Sequence, residues 1–373
     1  SVAIIGASAN PSKIGYDVLH NLITSGYEGD IYPINPSSEE ILGLKAYKCV
    51  TDVPGSIDLA VVVVPARFVP QLTVECGEKG IKGFIVITAG FKEMSHEGAE
   101  MEKQIVETAK KYGMRVIGPN CLGIIETPIK MNASFAPATP DAGSIAFMSQ
   151  SGALCGSILD YALAEGIGFS HFYSIGNKAD IDEVSLLEDW AQDPDTNVVI
   201  AYIEGLKDGE AFIKTASKAT RKLPIIALKS GRTASGSKAV SSHTGSLAGS
   251  DAAYDAAFAQ SGVLRADTVQ DLFDFSTAFA YQPNLKGNRI CLITNAGGPG
   301  VMATDALEQN GLVLAELSDE TQAALKAVLP PAANIHNPVD VLGDALADRY
   351  GQAIEIVIKD KGVDGVVVIL TPQ

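Results

Sequence analysis

The sequence of 373 residues lacks several features that mark common classes of protein. Its apolar runs, such as residues 59–64 and 366–370, are far shorter than the roughly 20 residues that cross a bilayer. Five cysteines form an odd set without a Cys-x-x-Cys or Cys/His ligand spacing, which argues against a disulfide framework or a structural zinc. No basic leader or cleavage site precedes the first apolar segment. We therefore expect a cytoplasmic protein with no membrane association and no metal site.

Positive charge is also scarce. The chain has 28 Lys and Arg against 44 Asp and Glu, a net charge of −16. A polyanion would meet net repulsion, so nucleic acid is excluded as the main partner. Apolar residues make up 46% of the chain, enough for large cores, and the length corresponds to more than two domains of roughly 150 residues.

What the sequence does have is a recurring pattern of short runs rich in Val and Ile. Amphipathic stretches of about ten to fifteen residues separate them, as in βαβ units. We predict an α/β fold with parallel sheets and a helix at 184–192. The predicted strands are 2–5, 31–34, 59–64, 83–87, 115–117, 144–148, 168–174, 198–203, 224–228, 289–294, 312–315 and 365–370.

Changes in composition suggest how the chain divides. The segment 127–142 is rich in proline and lacks periodicity, which predicts a linker. The predicted domains are 1–126, 143–284 and 289–373, the last apparently incomplete because the sequence stops just after a strand. The polar run 230–250 has no apolar period and predicts a loop that is functional or mobile.

The first turn, from Gly6 to Gly15, joins a predicted strand to a predicted helix. Its backbone amides and the helix start can hold phosphate. Ser8 and Pro11 replace two glycines of the dinucleotide fingerprint, and no acidic residue ends the strand 31–34, so nicotinamide binding is disfavoured. Lys13 adds a cation that suits a phosphate or a pyrophosphate. The alternative is a tight connection without a ligand.

Four further turns follow predicted strands. In an open parallel sheet, ligands lie outside the carboxyl ends of the strands, so these turns would line one crevice. Cys121 lies in the last of them and is interpreted as a small buried side chain, not a nucleophile. The turns are Asn35-Pro36, Val64-Pro65-Ala66, Thr88-Ala89-Gly90-Phe91 and Gly118-Pro119-Asn120-Cys121.

Other candidate anion sites lie further along the chain. Ser149, Ser151 and Gly152 precede a predicted helix, where free N–H groups attract an anion; Ser149 or Ser151 could equally be only an N-cap. The Gly-rich turn 297–300 could hold another anion, with a structural turn as the alternative. A structural turn is also expected at 337–340.

One of the five histidines stands apart. His20, His96 and His171 fall in predicted helices or strands and are expected to be structural or exposed. His243 lies in the polar run 230–250 among small residues, which fits a nucleophile, although an inert loop histidine is the alternative. Glu204 follows a strand at the sheet edge where this loop should lie. A carboxylate that accepts the Nδ1 proton would leave Nε2 free to attack.

Together these motifs resemble a known family: the α subunit, or α half, of nucleoside-diphosphate-forming acyl-CoA synthetases of the ADP-forming acetyl-CoA synthetase type. The sequence is more distantly similar to the α subunit of succinyl-CoA synthetase. The motifs that carry the resemblance are GASANPSKIGY, YPINP, ITAGF, IGPNCLGI, SQSGALC, IGNKADIDE, YIEG, SSHTGSLAG, NAGGPGVMATDA and NPVDVLG.

The resemblance implies a Rossmann-like CoA-binding domain followed by two flavodoxin-like doubly wound domains. It also implies an ATP-grasp β subunit that carries ADP or ATP and Mg²⁺, in an α2β2 heterotetramer acting on acyl-CoA and phosphate. His243 would be phosphorylated through an acyl phosphate, and Glu204 would hold it. Ser151, Gly152 and Gly245 would bind phosphate. The implied CoA-binding residues are Gly6, Ala7, Ser8, Ser12, Lys13, Gly15, Asn35, Pro36, Pro65, Ala66, Thr88, Ala89, Gly90 and Asn120.

Two other functions stay open. The chain could be a CoA-binding regulatory protein without catalysis, although such a protein would not need Glu204 and His243. A nicotinamide dehydrogenase ranks last, for the reasons given above. Gly156 stands where the succinate-using branch has a tyrosine, so acetate or a similar short acid is the expected substrate.

Overall fold

The computed structural model describes residues 1–236, 238 and 250–372, and the chain divides into two compact units. The first unit spans Ser1–Gln282 and the second spans Pro283–Gln373. Helices alternate with strands along both, which confirms the predicted α/β class. No helix in the described part of the chain combines the length and the apolar composition that a membrane span needs.

The first sheet of unit one is an open parallel sheet with a ligand-binding topology. Its elements are β1 (Val2–Ile5), α1 (Ile14–Thr24), β2 (Ile31–Ile34), the hairpin β3 (Glu40–Ile41) and β4 (Leu44–Lys45), β5 (Leu59–Val62), α2 (Val69–Glu78), β6 (Gly83–Val86), α3 (His96–Tyr112) and β7 (Arg115–Ile117). The strand order is β2-β1-β5-β6-β7, all parallel. From β1 the chain passes to β2 on one side, and after β2 it crosses to β5 on the other side of β1. The carboxyl ends of β1, β2 and β5 therefore form a topological switch point.

Side chains of this sheet are buried on both faces, as parallel strands require. Successive residues of a strand point to opposite faces. Ile5 packs with Phe84 in one core, and Ile4 packs with Leu19 of α1 in the other. This explains why the strands are uninterrupted apolar runs in the sequence.

The second sheet of unit one has seven strands. Its elements are β8 (Gly123–Glu126), β9 (Met131–Ser134), β10 (Ala142–Ser149), α4 (Gly152–Glu165), β11 (Phe169–Ser174), α5 (Glu183–Trp190), β12 (Val198–Ile203), α6 (Gly209–Ala219), β13 (Ile225–Lys229), α7 (Asp251–Ser261), β14 (Leu264–Ala266) and α8 (Val269–Tyr281). The order is β14-β13-β12-β10-β11-β8-β9. The five strands from β14 to β11 are parallel and have the flavodoxin-like order, whereas β8 and β9 are antiparallel additions.

The second unit carries a smaller parallel sheet. Its elements are β15 (Arg289–Thr294), α9 (Gly297–Gln309), β16 (Val313–Leu314), α10 (Asp319–Val328), β17 (Val339–Asp340), α11 (Ala347–Val357) and β18 (Gly365–Ile369). β15 is central and pairs in parallel with the other three strands. Cys291 and Ile293 of β15 pack with Ala353 of α11 in its main core.

The structure corrects two expectations about local structure. The segment 127–142 was predicted as a linker without regular structure, but Met131–Ser134 forms β9 and pairs with β8 in the second sheet. The reason is tertiary: backbone groups beside an existing sheet gain ladder hydrogen bonds that local composition does not encode. In the predicted loop 230–250, residues 234–236 are helical, and residues 237 and 239–249 lie outside the described residues. Elsewhere, the ends of the predicted strands agree with the structure to within two residues.

Candidate functional site

The turn after β1 requires glycine at two positions because the backbone passes very close to itself. A Cβ on Gly15 would lie 2.0 Å from the Gly6 carbonyl oxygen. Gly6 itself has a φ of +97°, which side chains other than glycine rarely adopt. Ser8 Oγ accepts the Asn10 N–H at 3.0 Å, which braces the loop. The two glycines therefore allow the tight course of the turn beside α1.

A cavity of about 470 Å³ opens at this turn. It sits at the switch point between β1, β2 and β5, where ligands of open α/β sheets bind. Asn35 donates its Nδ2–H to the Ala7 carbonyl at 2.8 Å and so ties the end of β2 to the turn. Seven of the residues predicted to bind CoA line the cavity, together with Ile14 and Val63. These seven are Gly6, Ala7, Ser8, Ser12, Lys13, Gly15 and Asn35.

The other residues predicted to bind CoA lie along the same edge of the sheet but do not line that cavity. Thr88 donates its Oγ1–H to the Val64 carbonyl at 2.7 Å, and Asn120 donates its N–H to the Thr88 carbonyl at 2.9 Å. A Cβ on Gly90 would lie 3.3 Å from the Ala66 side chain. These contacts bring the turns after β5, β6 and β7 together. Exposed residues complete the edge: Pro36, Pro65 and Ala89.

Glu93 supports this edge, and the sequence reasoning missed it. Its Oε1 accepts the N–H groups of Gly90 at 2.6 Å and Phe91 at 3.1 Å, and its Oε2 accepts from Asn177. Burial would raise the pKa of this carboxyl, but these hydrogen bonds outweigh it and the pKa is lowered. An acidic residue just after a Gly turn was the only local signal.

Ser149, Ser151 and Gly152 meet at the start of α4. Ser151 is the N-cap, with its Oγ accepting the Leu154 N–H at 3.3 Å, and Ser149 Oγ accepts the Ser151 N–H at 3.0 Å. The N-cap interpretation is thus confirmed. Phosphate binding at Ser151 and Gly152 stays a prediction. The fully buried Ser174 Oγ lies 3.8 Å from where a Gly152 Cβ would be, and within the described residues it has no hydrogen-bond partner.

Glu204 is held at the carboxyl end of β12. It is 7% exposed, and its backbone N–H donates to Gln150 Oε1 at 3.0 Å. Ile203 pairs with Lys229 across β12 and β13, so Glu204 lies beside the point where the chain enters the segment 230–250. His243 and Gly245, with which Glu204 was predicted to act, lie outside the described residues.

Lys229 is a second residue that the sequence reasoning missed. It is 2% exposed, and its Nζ lies 4.5 Å from the centre of the Tyr254 ring and donates to the Ser230 carbonyl. Burial lowers the pKa of this lysine, and the charges of Asp251 and, to a smaller degree, Glu204 act in the opposite direction. A lysine that ends an apolar strand was the available signal.

Charged residues clamp the described ends of the segment 230–250. Arg232, near the beginning of the segment, contacts Asp267 at 2.6 Å and Asp251 at 3.8 Å. Arg265 of β14 contacts Asp251 at 2.5 Å and also pairs with Asp255. Entry and exit of the segment are therefore fixed to the same cluster.

The cysteines show no sign of activation. Burial raises the pKa of the Cys121 thiol to about 12, and it does the same for Cys155 at the start of α4. The thiolate is the reactive form, so the interpretation of Cys121 as a small buried side chain is confirmed; Cys121 does not line the cavity beside β1. Among the described residues, no cluster of three or more His, Cys, Asp or Glu could hold a metal ion.

In the second unit, Asn337 has a structural task. Its Nδ2 donates to the carbonyls of Ile290 at 2.8 Å and Ala315 at 3.0 Å, and its Oδ1 accepts the Leu292 N–H. The structural interpretation of the turn 337–340 is confirmed. Gly297 begins α9, and anion binding there stays a prediction.

Family models match three stretches of the chain. A CoA binding domain model matches residues 1–127, a succinyl-CoA ligase like flavodoxin domain model matches 142–279, and a ligase-CoA domain model matches 290–371.

Comparison with individual proteins extends over the full length. The chain is 48% identical to the α subunit of acetate–CoA ligase (ADP-forming) II from Pyrococcus furiosus, over 99% of this chain and 80% of that subunit. It is 47% identical to acetate–CoA ligase (ADP-forming) I from Archaeoglobus fulgidus, over 100% of this chain and 54% of that protein.

A solved structure of acetyl-coenzyme A synthetase 1 from Ca. Korarchaeum cryptofilum, in complex with phosphate and ADP, matches with a TM-score of 0.93 and 43% identity. The match covers 98% of this chain and 79% of that one. The Rossmann-like and flavodoxin-like architecture expected from the resemblance is confirmed by these matches.

Proposed function

Because the chain belongs to the family of ADP-forming acetate–CoA ligases, as an α subunit or α half, we propose that it catalyses the acyl-CoA and phosphate steps of that reaction. The overall reaction converts acetyl-CoA or a similar short acyl-CoA, ADP and phosphate to the acid, ATP and CoA. The observation that carries the proposal is the cavity at the switch point of the first sheet, in a chain that also places a buried Glu204 beside the segment 230–250.

CoA fits the cavity in shape and charge. Gly6 and Gly15 let the turn pass close to itself and to the residues just after β5, where a Cβ would clash, and in this proposal a chain of phosphates approaches the amides at the start of α1. Lys13 supplies a cation at the rim, and Asn35 fixes the far wall. In this proposal, the turns that contain Thr88, Gly90 and Asn120 contact the rest of the CoA molecule along the same edge of the sheet.

The proposed reaction consists of three successive nucleophilic attacks. A phosphate oxygen attacks the thioester carbonyl carbon, the C–S bond breaks, and CoA leaves as the thiol after taking a proton. His243 Nε2 then attacks the phosphorus of the acyl phosphate, the P–O bond breaks, and the acid leaves as a carboxylate. Glu204 accepts a hydrogen bond from the Nδ1–H group of the imidazole and so fixes its tautomer. Finally an oxygen of ADP attacks the phosphorus, and the P–N bond breaks.

The phosphoryl group on an imidazole carries about two negative charges, so it needs donors close by. The start of α4 supplies N–H groups at Gly152 and the positive end of the helix dipole. In the same proposal Ser151 and Gly245 bind phosphate with Gly152.

A nucleotide-binding partner completes the reaction. We propose an ATP-grasp β subunit, in an α2β2 heterotetramer, that holds ADP or ATP and Mg²⁺; the metal would neutralise the charge of the nucleotide phosphates. This chain's contribution is the segment 230–250, whose ends are fixed by Arg232 and Asp251.

The acid is proposed to be acetate or a similar short monocarboxylic acid. Apart from its chain neighbours and the backbone of its own helix, no described atom lies within 4 Å of the position that a Cβ on Gly156 would take. The side chain that occupies the equivalent position in the succinate-using branch is therefore not replaced by a neighbour.

ATP formation tests the function. The chain, assembled with an ATP-grasp subunit, is expected to make ATP from acetyl-CoA, ADP and phosphate, and the chain alone is not. His243→Ala should abolish ATP formation, whereas the matched control His336→Ala, at an exposed histidine, should retain it. CoA binding without any ATP formation in the assembled enzyme would instead favour the alternative, a CoA-binding regulatory protein.

A further inference from the structure

The side-chain amide of Gln150 makes four hydrogen bonds just beyond β10. Its Oε1 accepts the backbone N–H groups of Glu204 at 3.0 Å and Gly205 at 3.1 Å. Its Nε2 donates to the Gly205 carbonyl at 2.9 Å and to the Glu183 carboxylate. A primary amide offers two acceptor lone pairs and two N–H groups, so every one of them is used. Gln150 thus holds the peptide groups on both sides of Glu204.

Lys178 closes this network from the loop between β11 and α5. Its Nζ lies 2.7 Å from Glu183 Oε1 and also donates to the Gly205 carbonyl. The two charged side chains are 14% and 3% exposed. Because burying an ion pair costs much of what the pairing gains, such a pair is weak evidence for stability alone. Its contacts indicate what it fixes, namely the backbone that follows Glu204.

The backbone at Lys178 also points to a requirement for its side chain. Lys178 has a φ of +47°, in the left-handed region that favours glycine. Strained conformations of this kind persist where the surroundings require them, and they cluster at functional sites. Glycine would relieve the strain but would remove the ammonium group.

The loop itself is anchored without Lys178. Asn177 donates its backbone N–H to the Pro119 carbonyl at 2.8 Å and its Nδ2–H to Glu102 at 2.9 Å. Asp180 accepts from Arg115 and from the Val116 N–H, both at 2.9 Å. Removing the Lys178 ammonium therefore leaves the loop attached to the first sheet.

We propose that Lys178, Glu183 and Gln150 are positioning residues that aim the Glu204 carboxylate. The inference rests on the proposed function, because it assigns them to the step in which Glu204 orients the imidazole of His243. None of the three needs to touch substrate. They fix the backbone from which Glu204 projects, and a displacement of about 1 Å at a reacting group costs about a hundredfold in rate.

Two variants separate positioning from folding. Lys178→Gly removes the ammonium group and relaxes the backbone. Gln150→Glu keeps the shape but places a carboxylate oxygen against the Glu183 carboxylate and the Gly205 carbonyl. The matched control is Arg115→Met, which removes an exposed cation that pairs with the same loop. Acetyl phosphate is the probe, and the readouts are the rate of phosphoryl labelling of His243, the CoA dissociation constant and the melting temperature of each preparation.

We expect Lys178→Gly and Gln150→Glu to label about ten to a hundred times more slowly, with unchanged CoA affinity. Lys178→Arg, which keeps a cation, should label faster than Lys178→Gly, and Arg115→Met should match the unmodified chain. The proposal is overturned if the two variants are labelled at the rate of the unmodified chain. It is also overturned if slower labelling is accompanied by weaker CoA binding and a lower melting temperature, because the variants would then be misfolded. Absence of label on the unmodified chain would contradict the proposed function itself.

Discussion

At the scale of single residues, the cavity beside β1 is lined by a turn that carries one cation among its described residues. Lys13 immediately precedes α1 and lines the cavity, and the described lining contains no carboxylate. At the start of α1 the N–H groups of Tyr16 and Asp17 donate to the Lys13 carbonyl, and the N–H groups before them are not used by the helix itself. A phosphate chain placed there would meet those donors and no carboxylate of the lining.

Replacing Lys13 by alanine should weaken CoA binding. Lys13 is exposed, so its ion pair with a phosphate contributes about 1 kcal/mol, which corresponds to about a fivefold higher dissociation constant. Titration calorimetry with CoA measures the change. Lys48→Ala is the matched control, at an exposed lysine of the same unit that does not line the cavity. Equal affinities of the Lys13 and Lys48 variants would remove Lys13 from the site.

Residues whose partners are close in the chain could be predicted, and those whose partners are distant could not. Gly6, Ser8 and Lys13 belong to one contiguous turn, so local rules for strand-to-helix connections identified them. Gln150 acts through residues more than 30 positions away, and Glu93 acts partly through Asn177. No periodicity in the sequence encodes such pairings.

At the scale of elements, a partly buried charged cluster joins β8, β11 and the turn after α5. The ring of His171 contacts Glu126 through Nδ1 at 2.6 Å and Asp193 through Nε2 at 2.8 Å. It also stacks on Trp190. Burial alone would lower the pKa of His171, but the two carboxylates outweigh it and raise the pKa. His171 is thus structural, as its place in a strand predicted.

This cluster should make stability depend on pH. A histidine whose pKa is raised on folding stabilises the protein fully below its unfolded pKa of about 6.5, and the contribution is lost as pH rises through the folded value. The melting temperature should therefore fall over that range. His171→Gln should be less stable at low pH, by about 3 kcal/mol, and should lose this part of the pH dependence. If the melting temperatures of both proteins changed with pH in the same way across this range, the assignment would be contradicted.

The elements themselves were predictable where burial follows hydrophobicity. β1, β2, β7, β12 and β15 have the predicted bounds, and most of their residues are apolar. β9 was missed because two of its four residues are polar yet fully buried: Ser134 donates to Asn132 at 2.6 Å, and Asn132 donates to Thr139. Hydrophobicity cannot reveal polar side chains that satisfy one another inside the fold.

At the scale of the whole molecule, the net charge of −16 opposes every anionic substrate that we propose. Favourable charge must therefore be local, as at Lys13 and at the start of α4. The fold class could be predicted because short apolar runs alternate with amphipathic stretches along the chain. Composition does not show that Glu204 contacts His243, because the two residues lie in separate segments. Their contact was inferred from the sheet edge at which both segments should lie, and it stays a prediction.

The most direct test of the central claim is to locate the phosphoryl group. The chain is incubated with acetyl phosphate, digested under alkaline conditions, and analysed by tandem mass spectrometry. We predict an acid-labile, base-stable phosphoryl group on His243, absent from His243→Ala and much reduced in Glu204→Gln. Equal labelling of the His243→Ala variant, or a phosphoryl group on another residue, would contradict the account.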